Sequence, residues 1–330
     1  MKKHIHHVHI IIILGILGAV FLSILLNIQQ EKASLANKTT FGVSFTPRYA
    51  QDLGLDPKQT YQVILTDLKV RNIRLSAYWD EIEPIQDTFY FDDLDWYIDQ
   101  ATQVNASVIL VIGYKLPRWP ECRTPSWLTE NLRERQLIML DAVILHYDKN
   151  PTITAFQLEN EPLLTFGICP PPDRQFLTKE VTFVKSQTKK PIILTDSGEL
   201  RPWKTPMQQS DIFGTTLYRV VENPWFGPFQ YPLRPWFYRV KSDLIRKIFA
   251  PNNQRTIISE LQAEPWAIQP LTEITVDEQI NRFSMSQFME SIDFARKTGF
   301  DSVYLWGAEW WYYMDKFGHP EYLQYSKTLF

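Results

Sequence analysis

Short runs rich in Val, Ile, Leu and Phe alternate with longer stretches of helical periodicity along most of the chain, and this alternation restricts the fold more than any other feature. The first run, Phe41-Gly42-Val43-Ser44-Phe45, precedes Tyr61, Ile64, Leu65 and Leu68, spaced as on one face of a helix. Asn72-Ile73-Arg74-Leu75-Ser76 follows, then a helix face of Leu94, Tyr97, Ile98 and Ala101. The third run, residues 107–113, is apolar throughout, as a strand buried on both faces should be. Leu137, Leu140, Ile144 and Tyr147 mark the next helix, which leads into a fourth run from Thr154 to Glu161. Residues 191–195, 212–218, 256–260 and 302–306 complete the set, with Met285, Phe288, Ile292 and Ala295 on a helix before the last and a short helix from about Pro320. Eight strands, each followed by a helix or a long connection, predict an α/β fold of the (β/α)8 TIM barrel type over residues 40–330. A doubly wound sheet is the alternative, but no glycine-rich phosphate loop follows any of the runs.

Ahead of the barrel, residues 8–28 read VHIIIILGILGAVFLSILLNI, 21 residues with no formal charge if His9 is neutral. A helix of that length spans roughly 30 Å, a bilayer core. Lys2 and Lys3 precede it, so the tail of residues 1–7 is expected in the cytoplasm and the barrel outside, behind an uncleaved signal-anchor helix and a polar linker of residues 29–39. A cleaved signal peptide is the alternative; the apolar run exceeds the usual length and no small-x-small site follows closely. The clustered His4, His6, His7 and His9 are read as an interfacial tail, not a metal site.

A net charge of −3 offers no basic surface for nucleic acid. The informative charges stand at strand ends, where a barrel of this kind carries its site. Glu161 and Glu260 each follow an apolar run directly, on the fourth and seventh strands, and so face one another across the mouth. Paired carboxylates of this kind are what glycoside cleavage needs, one to protonate the leaving oxygen and one to support the anomeric carbon. Two salt-bridged strand ends are the plainer reading. Glu159 shares the parity of Glu161 and is expected to be buried with a partner; Asp196, Glu199, Glu264 and Glu309 are looser candidates. Asn160 and Glu161 would point to opposite faces of a regular strand, so the backbone must bulge or leave the sheet if both reach one ligand.

Asn160-Glu161-Pro162, Ile257-Ile258-Ser259-Glu260, Arg74, Tyr218, Trp306 and the stretch Ser76-Ala77-Tyr78-Trp79-Asp80-Glu81-Ile82-Glu83-Pro84 occur in the strand order of a known group. With these the chain resembles glycoside hydrolase clan A, cellulase-type family five in particular. That resemblance implies a retaining double displacement on a β-linked oligo- or polysaccharide. It makes Glu161 the acid/base and Glu260 the nucleophile. It implies that Asn160 bonds the sugar 2-hydroxyl, Tyr218 and Arg74 serve Glu260, and Trp306 floors the sugar site. The chain departs from family five where many members carry histidines: Tyr114 or Lys115 stands near the end of the third strand, and Thr216 two residues before Tyr218.

Rival chemistries fare less well. Outside the tail only His146 and His319 remain, and neither follows a strand, so a histidine-based metal site or a serine triad is hard to build, and no metal or cofactor is expected. An enolase-like carboxylate-metal barrel and a non-catalytic sugar-binding barrel stay as alternatives. Cys122 and Cys169 fall in neighbouring loops after the third and fourth strands of an extracytoplasmic domain, which predicts a disulfide; two buried thiols are the alternative. Aromatic residues make up 14% of the chain, with 11 Trp and 15 Tyr, and can mean a heavy core or a ligand cleft. The proline- and aromatic-rich stretches Pro117-Arg118-Trp119-Pro120 and Asn223 to Phe229 are candidates for stacking on sugar rings, with a lid packed on the barrel rim or apolar residues meeting the membrane surface as the alternative; Tyr114 and Trp119 are the candidate contacts to a carbohydrate substrate as the partner. Oligomeric state leaves no mark in the sequence.

Overall fold

The computed structural model describes residues 39–223, 227–250 and 254–330. The expected tail, the anchor of residues 8–28 and all of the linker but residue 39 lie outside the described residues, as does the centre of the stretch from Asn223 to Phe229. Among the described residues, no helix is long and apolar enough to cross a membrane.

Among the described residues, ten strands follow in chain order: β1 (Thr40–Phe45), β2 (Asn72–Ser76), β3 (Ser107–Ile112), β4 (Ile153–Leu158), β5 (Ile192–Asp196), β6 (Ile212–Leu217), β7 (Val220–Asn223), β8 (Gly227–Gln230), β9 (Arg255–Gln262) and β10 (Ser302–Trp306). Eight of them close into a parallel barrel in the order β1-β10-β9-β6-β5-β4-β3-β2, the predicted (β/α)8 architecture. The antiparallel pair β7–β8 is an addition, built where the sequence reads as a proline- and aromatic-rich loop.

Each barrel strand alternates between two environments. Val108 and Leu110 point outward into the layer shared with the helices, where they meet the same core as Tyr61, Ile64, Leu65 and Ile98. Ile109 points inward, and with Ala155, Ile193, Ile257 and Tyr304 it fills the barrel's interior. Burying each of these isoleucine and leucine side chains contributes about 1.5–3 kcal/mol. The helix Leu132–Tyr147 buries Leu140, Ile144 and Tyr147 as predicted, while Leu137 packs only partly. The helix Met285–Thr298 opens on a capping box between Ser284 and Gln287, which satisfies end groups that would otherwise lack partners. Trp79, Trp203, Trp310 and Trp311 are fully buried, so much of the aromatic content serves the core.

Above the apolar interior layer lies a polar one. Ser44, Arg74, Gln157, Thr195 and Glu260 are all buried toward the strands' C-terminal ends. A barrel filled for packing alone would carry branched apolar residues there.

Candidate active site

β4 ends at Leu158, three residues before its predicted end at Glu161. Glu159 and Glu161 take left-handed backbone conformations, with φ of 60° and 44°, which side-chain-bearing residues rarely adopt. Leaving the sheet removes the alternation of a strand, so Asn160 and Glu161 both turn into the barrel mouth. Three hydrogen bonds fix the departure. The Asn160 amide donates to the Lys115 carbonyl at 2.6 Å, the Glu161 amide to Thr195 Oγ1 at 2.9 Å, and Gln157 Nε2 to the Glu159 carbonyl at 2.9 Å. Glu159 itself turns away, accepting from the amides of Tyr114 (2.8 Å) and Lys115 (2.5 Å) and from Gln136 Nε2 (2.6 Å). Its carboxylate lies where a Cβ on Gly113 would be, so that position admits only glycine.

A second irregularity aims Glu260. On β9, Ile258 pairs with Thr215 while Glu260 pairs with the very next residue, Thr216, and the pairing to β10 shifts at the same place. Ser259 is therefore an extra, bulged residue. Ile257 faces the interior and Ile258 the helices; without the bulge Glu260 would face the helices too, and with it the carboxylate faces in. Leu261 then returns to the outer layer.

Arg74 ties the two irregular strand ends together. Its Nε donates to Gln157 Oε1 at 2.7 Å, one terminal nitrogen to Ser44 Oγ at 3.2 Å and Glu260 Oε1 at 2.8 Å, and the other to Asn160 Oδ1 at 2.9 Å. The Tyr218 hydroxyl donates to Glu260 Oε2 at 3.0 Å, so both carboxylate oxygens are held. Tyr218 stands just past the end of β6, which stops at Leu217.

Glu161 has a different setting. Its Oε1 accepts from Thr216 Oγ1 at 3.0 Å. Burial pushes its carboxyl well above the usual range, and the charges of Glu260 and Glu121 push it further against the pull of Lys115. Glu121 is a third acid in the site, accepting from Asn160 Nδ2 at 3.3 Å and paired with Lys115 at 3.2 Å. Burial raises it to about 7, with Lys115 opposing. Lys115 Nζ also donates to the carbonyls of Glu161 (3.1 Å) and Leu164 (2.8 Å). One carboxyl that favours its proton thus sits beside one whose two oxygens accept from an arginine and a phenol, which can support acid catalysis and nucleophilic attack in the same site.

The remaining predicted residues separate. Trp306 is buried at the end of β10, with the Arg118 guanidinium 4.0 Å from its ring centroid. Tyr114 is half-buried against the core. Trp119 is 61% exposed on the rim, edge-on to Phe166. Cys122 and Cys169 form the predicted disulfide, with Cα atoms 5.2 Å apart. Glu199 accepts from the Tyr238 hydroxyl at 2.6 Å, and Asp196 lies 3.7 Å from Arg201. Glu264 and Glu309 both pair with Arg118. Arg118, Glu121, Lys115, Gln157 and Thr195 escape sequence reasoning as members of the site; the nearest signal is that Arg118 and Glu121 both shortly precede the disulfide cysteine Cys122, Arg118 within the proline- and aromatic-rich stretch of residues 117–120. Among the described residues, no group of three or more His, Cys, Asp or Glu side chains is arranged to hold a metal ion.

No protein-family model and no curated protein matches the chain. Solved structures do. A GH5_18 protein from Bifidobacterium longum subsp. longum is similar at 12% identity and a TM-score of 0.58, over 82% of this chain and 69% of that one. The GH5_18 protein from Streptomyces cattleya in complex with GlcNAc is similar at 11% identity and a TM-score of 0.53, over 82% and 70%. A psychrophilic glycoside hydrolase family 10 endo-β-1,4-xylanase is similar at 14% identity and a TM-score of 0.51, over 83% and 88%. What the chain shares with these glycoside hydrolases at such identities is the closed (β/α)8 barrel.

Proposed function

We propose that the chain is a retaining glycoside hydrolase that cleaves a β-linked oligo- or polysaccharide, with Glu161 as acid/base and Glu260 as nucleophile. The observation that carries this reading is the unequal treatment of two acids at one barrel mouth. Glu260 accepts from Arg74 and Tyr218, whereas Glu161 is buried beside Glu260 and Glu121 and favours its protonated form. In the first step a Glu260 oxygen attacks the anomeric carbon while the Glu161 proton passes to the departing glycosidic oxygen. In the second, Glu161 takes a proton from water, whose oxygen displaces Glu260 from the same carbon. Two displacements leave the β configuration unchanged. Asn160, its carbonyl held by Arg74, has its amide group at the site to meet the sugar 2-hydroxyl. A carbohydrate partner agrees with the GlcNAc and Manβ1-4GlcNAc ligands of the Streptomyces cattleya neighbours.

The test is hydrolysis of a panel of aryl β-glycosides and β-glucans by the full-length chain, with the first-formed anomer followed by NMR. Glu260→Gln is expected to lower kcat by on the order of 10⁴-fold or more. Glu161→Gln should cost on the order of 10²–10⁴-fold, least for the most activated leaving groups. Undiminished cleavage by Glu260→Gln sinks the assignment, and binding without cleavage by the unaltered chain moves the sugar-binding barrel ahead. We further propose that residues 8–28 anchor the chain with the barrel outside the cytoplasm, where the Cys122–Cys169 disulfide would persist. Release of the intact chain by alkaline carbonate, without detergent, would count against the anchor.

A further inference from the structure

The loop after β3 carries Arg118 across the barrel mouth. Its guanidinium lies between two rings, 3.5 Å from the centroid of Tyr49, which follows β1, and 4.0 Å from that of Trp306, which ends β10. It hydrogen-bonds Glu264, just past β9, and lies 3.9 Å from Glu309, just past β10. Glu264 reaches this place because residue 307 is glycine: a Cβ there would collide with the Glu264 side chain. One arginine thus joins the loop after β3 to those after β1, β9 and β10, and closes that side of the mouth.

The guanidinium is not free to leave, since its withdrawal would strand two buried carboxylates without a counter-charge. The face of Trp306 that it covers is therefore closed to a stacking sugar. Yet the cluster has polar capacity left over. Arg118 Nε, the Tyr49 hydroxyl, Glu264 Oε2 and Glu309 Oε2 are buried with no hydrogen-bond partner, although buried polar atoms in native proteins nearly always have one. Two donors and two acceptors in a single cluster suit a ligand whose hydroxyls both give and take hydrogen bonds. The cluster also shares its surroundings with the catalytic pair: the Tyr218 phenol, buried and bonded to Glu260, feels the charges of Arg118 and Glu264 as well.

We infer that Arg118, Glu264 and Glu309 bind the hydroxyls of the sugar at the non-reducing end of the substrate and wall off the space beyond it, so that the site takes chain ends one sugar deep. This rests on the glycosidase reading, in which Trp306 lies beside the sugar under attack. The substrate class is then a β-linked chain with a free, unsubstituted terminal sugar, shortened one residue at a time.

Binding tests this without requiring turnover. The full-length Glu161→Gln chain is titrated calorimetrically with β-1,4-linked gluco-, manno- and galactotetraose, each with its terminal sugar free or bridged by a 4,6-O-ethylidene group. At least one free tetraose should bind, and its blocked form about tenfold or more weaker, because the bridge removes hydroxyls that the cluster would hold. Adding Glu264→Gln should weaken the free form several-fold, and adding Arg118→Ala should bring the two forms within about twofold. Equal binding of free and blocked forms by the Glu161→Gln chain, or binding of neither, overturns the inference whether or not the further variants fold. If the unaltered chain hydrolyses none of these sugars while the discrimination holds, the catalytic reading falls and the end-recognising pocket stands. If hydrolysis proceeds by internal cuts with no discrimination, the pocket falls and the catalytic reading stands.

Discussion

Two arginines stand at the barrel mouth and end differently. Arg74, on β2, donates from Nε and both terminal nitrogens to four side chains, and its two main partners are the irregular strand ends that carry Asn160 and Glu260. Arg118, on the loop after β3, is stacked and ion-paired but leaves its Nε unbonded, and each of its carboxylate partners keeps one unbonded oxygen. The first arrangement is complete without a ligand and sets geometry in advance, which is what a reacting centre needs. The second is incomplete, as the walls of a binding site are before a hydroxylated ligand arrives. The difference also follows secondary structure: a strand residue buried in the barrel can be saturated by its neighbours, whereas a loop residue reaching across the mouth finds only what the opposite loops offer.

Replacing Arg74 should break the complete side hardest. Arg74→Ala leaves Glu260 buried without its cation and frees Asn160 and Gln157, at a cost of about 3–5 kcal/mol in urea unfolding. Arg74→Lys should recover little, because a single ammonium cannot bond Gln157, Asn160 and Glu260 together. Full stability in Arg74→Ala would mean that the network is not a scaffold. On the other side, the loop that carries Arg118 and Glu121 is stapled by the disulfide, whose ends lie 47 residues apart. Replacing both cysteines by serine should cost up to about 4 kcal/mol by loop entropy. It should also weaken sugar binding while leaving the Arg74 network in place, read as a raised KM with kcat less affected. An equal loss in both would tie the two sides into one unit.

A smaller effect concerns Glu121, whose charge is one of the causes that raise Glu161. Glu121→Gln removes that charge, so Glu161 releases its proton at lower pH and the alkaline limb of kcat moves down. At pH 8 the loss should be about threefold to tenfold, shrinking toward pH 6, where Glu121 is itself mostly protonated. A uniform loss at all pH values would instead mark Glu121 as a support for the Asn160 amide alone.

Much of the fold is legible in the sequence. The eight apolar runs place the barrel strands to within a few residues, because a strand buried on both faces must be apolar and the connecting helices must show their period. Glu161 and Glu260 stand out as acids at the ends of such runs. The way they are aimed does not. Nothing in Gln157-Leu158-Glu159-Asn160-Glu161 marks two left-handed residues, and nothing in Ile257-Ile258-Ser259-Glu260 marks a bulge, since both are set by contacts to other strands. Parity does show that the fourth strand must break for Asn160 and Glu161 to act together. Arg118 and Glu121 lie beyond reach, because loops have no period and their partners are far away in sequence; Arg118 and Glu264 are 146 residues apart.

The incomplete side should also betray itself through pH. Burial holds Glu309 at about 7, with Arg118 opposing, well above an ordinary glutamate near 4.5. Between those two values the folded chain keeps a proton that the unfolded chain has released, so this group's contribution to stability is full below about 4.5 and is lost as pH rises through 7. Glu121 and Glu199, both raised to about 7 as well, give the whole protein a slope of the same sign. They are present in every variant of the Arg118 cluster and largely cancel when one is compared with the unaltered chain. Arg118→Met removes the cation that opposes the shift, so Glu309 must hold its proton to still higher pH or stand charged and unpaired. The variant should therefore fall below the unaltered chain by about 1–3 kcal/mol at pH 8 and by much less at pH 5, where Glu309 is protonated. Adding Glu309→Gln to Arg118→Met should recover part of the loss at pH 8 and nothing at pH 5. Urea midpoints at the two pH values measure all of this. An equal cost at both would mean that Arg118 stabilises through its stacking on Tyr49 and Trp306, and that its charge has no part in holding the cluster together.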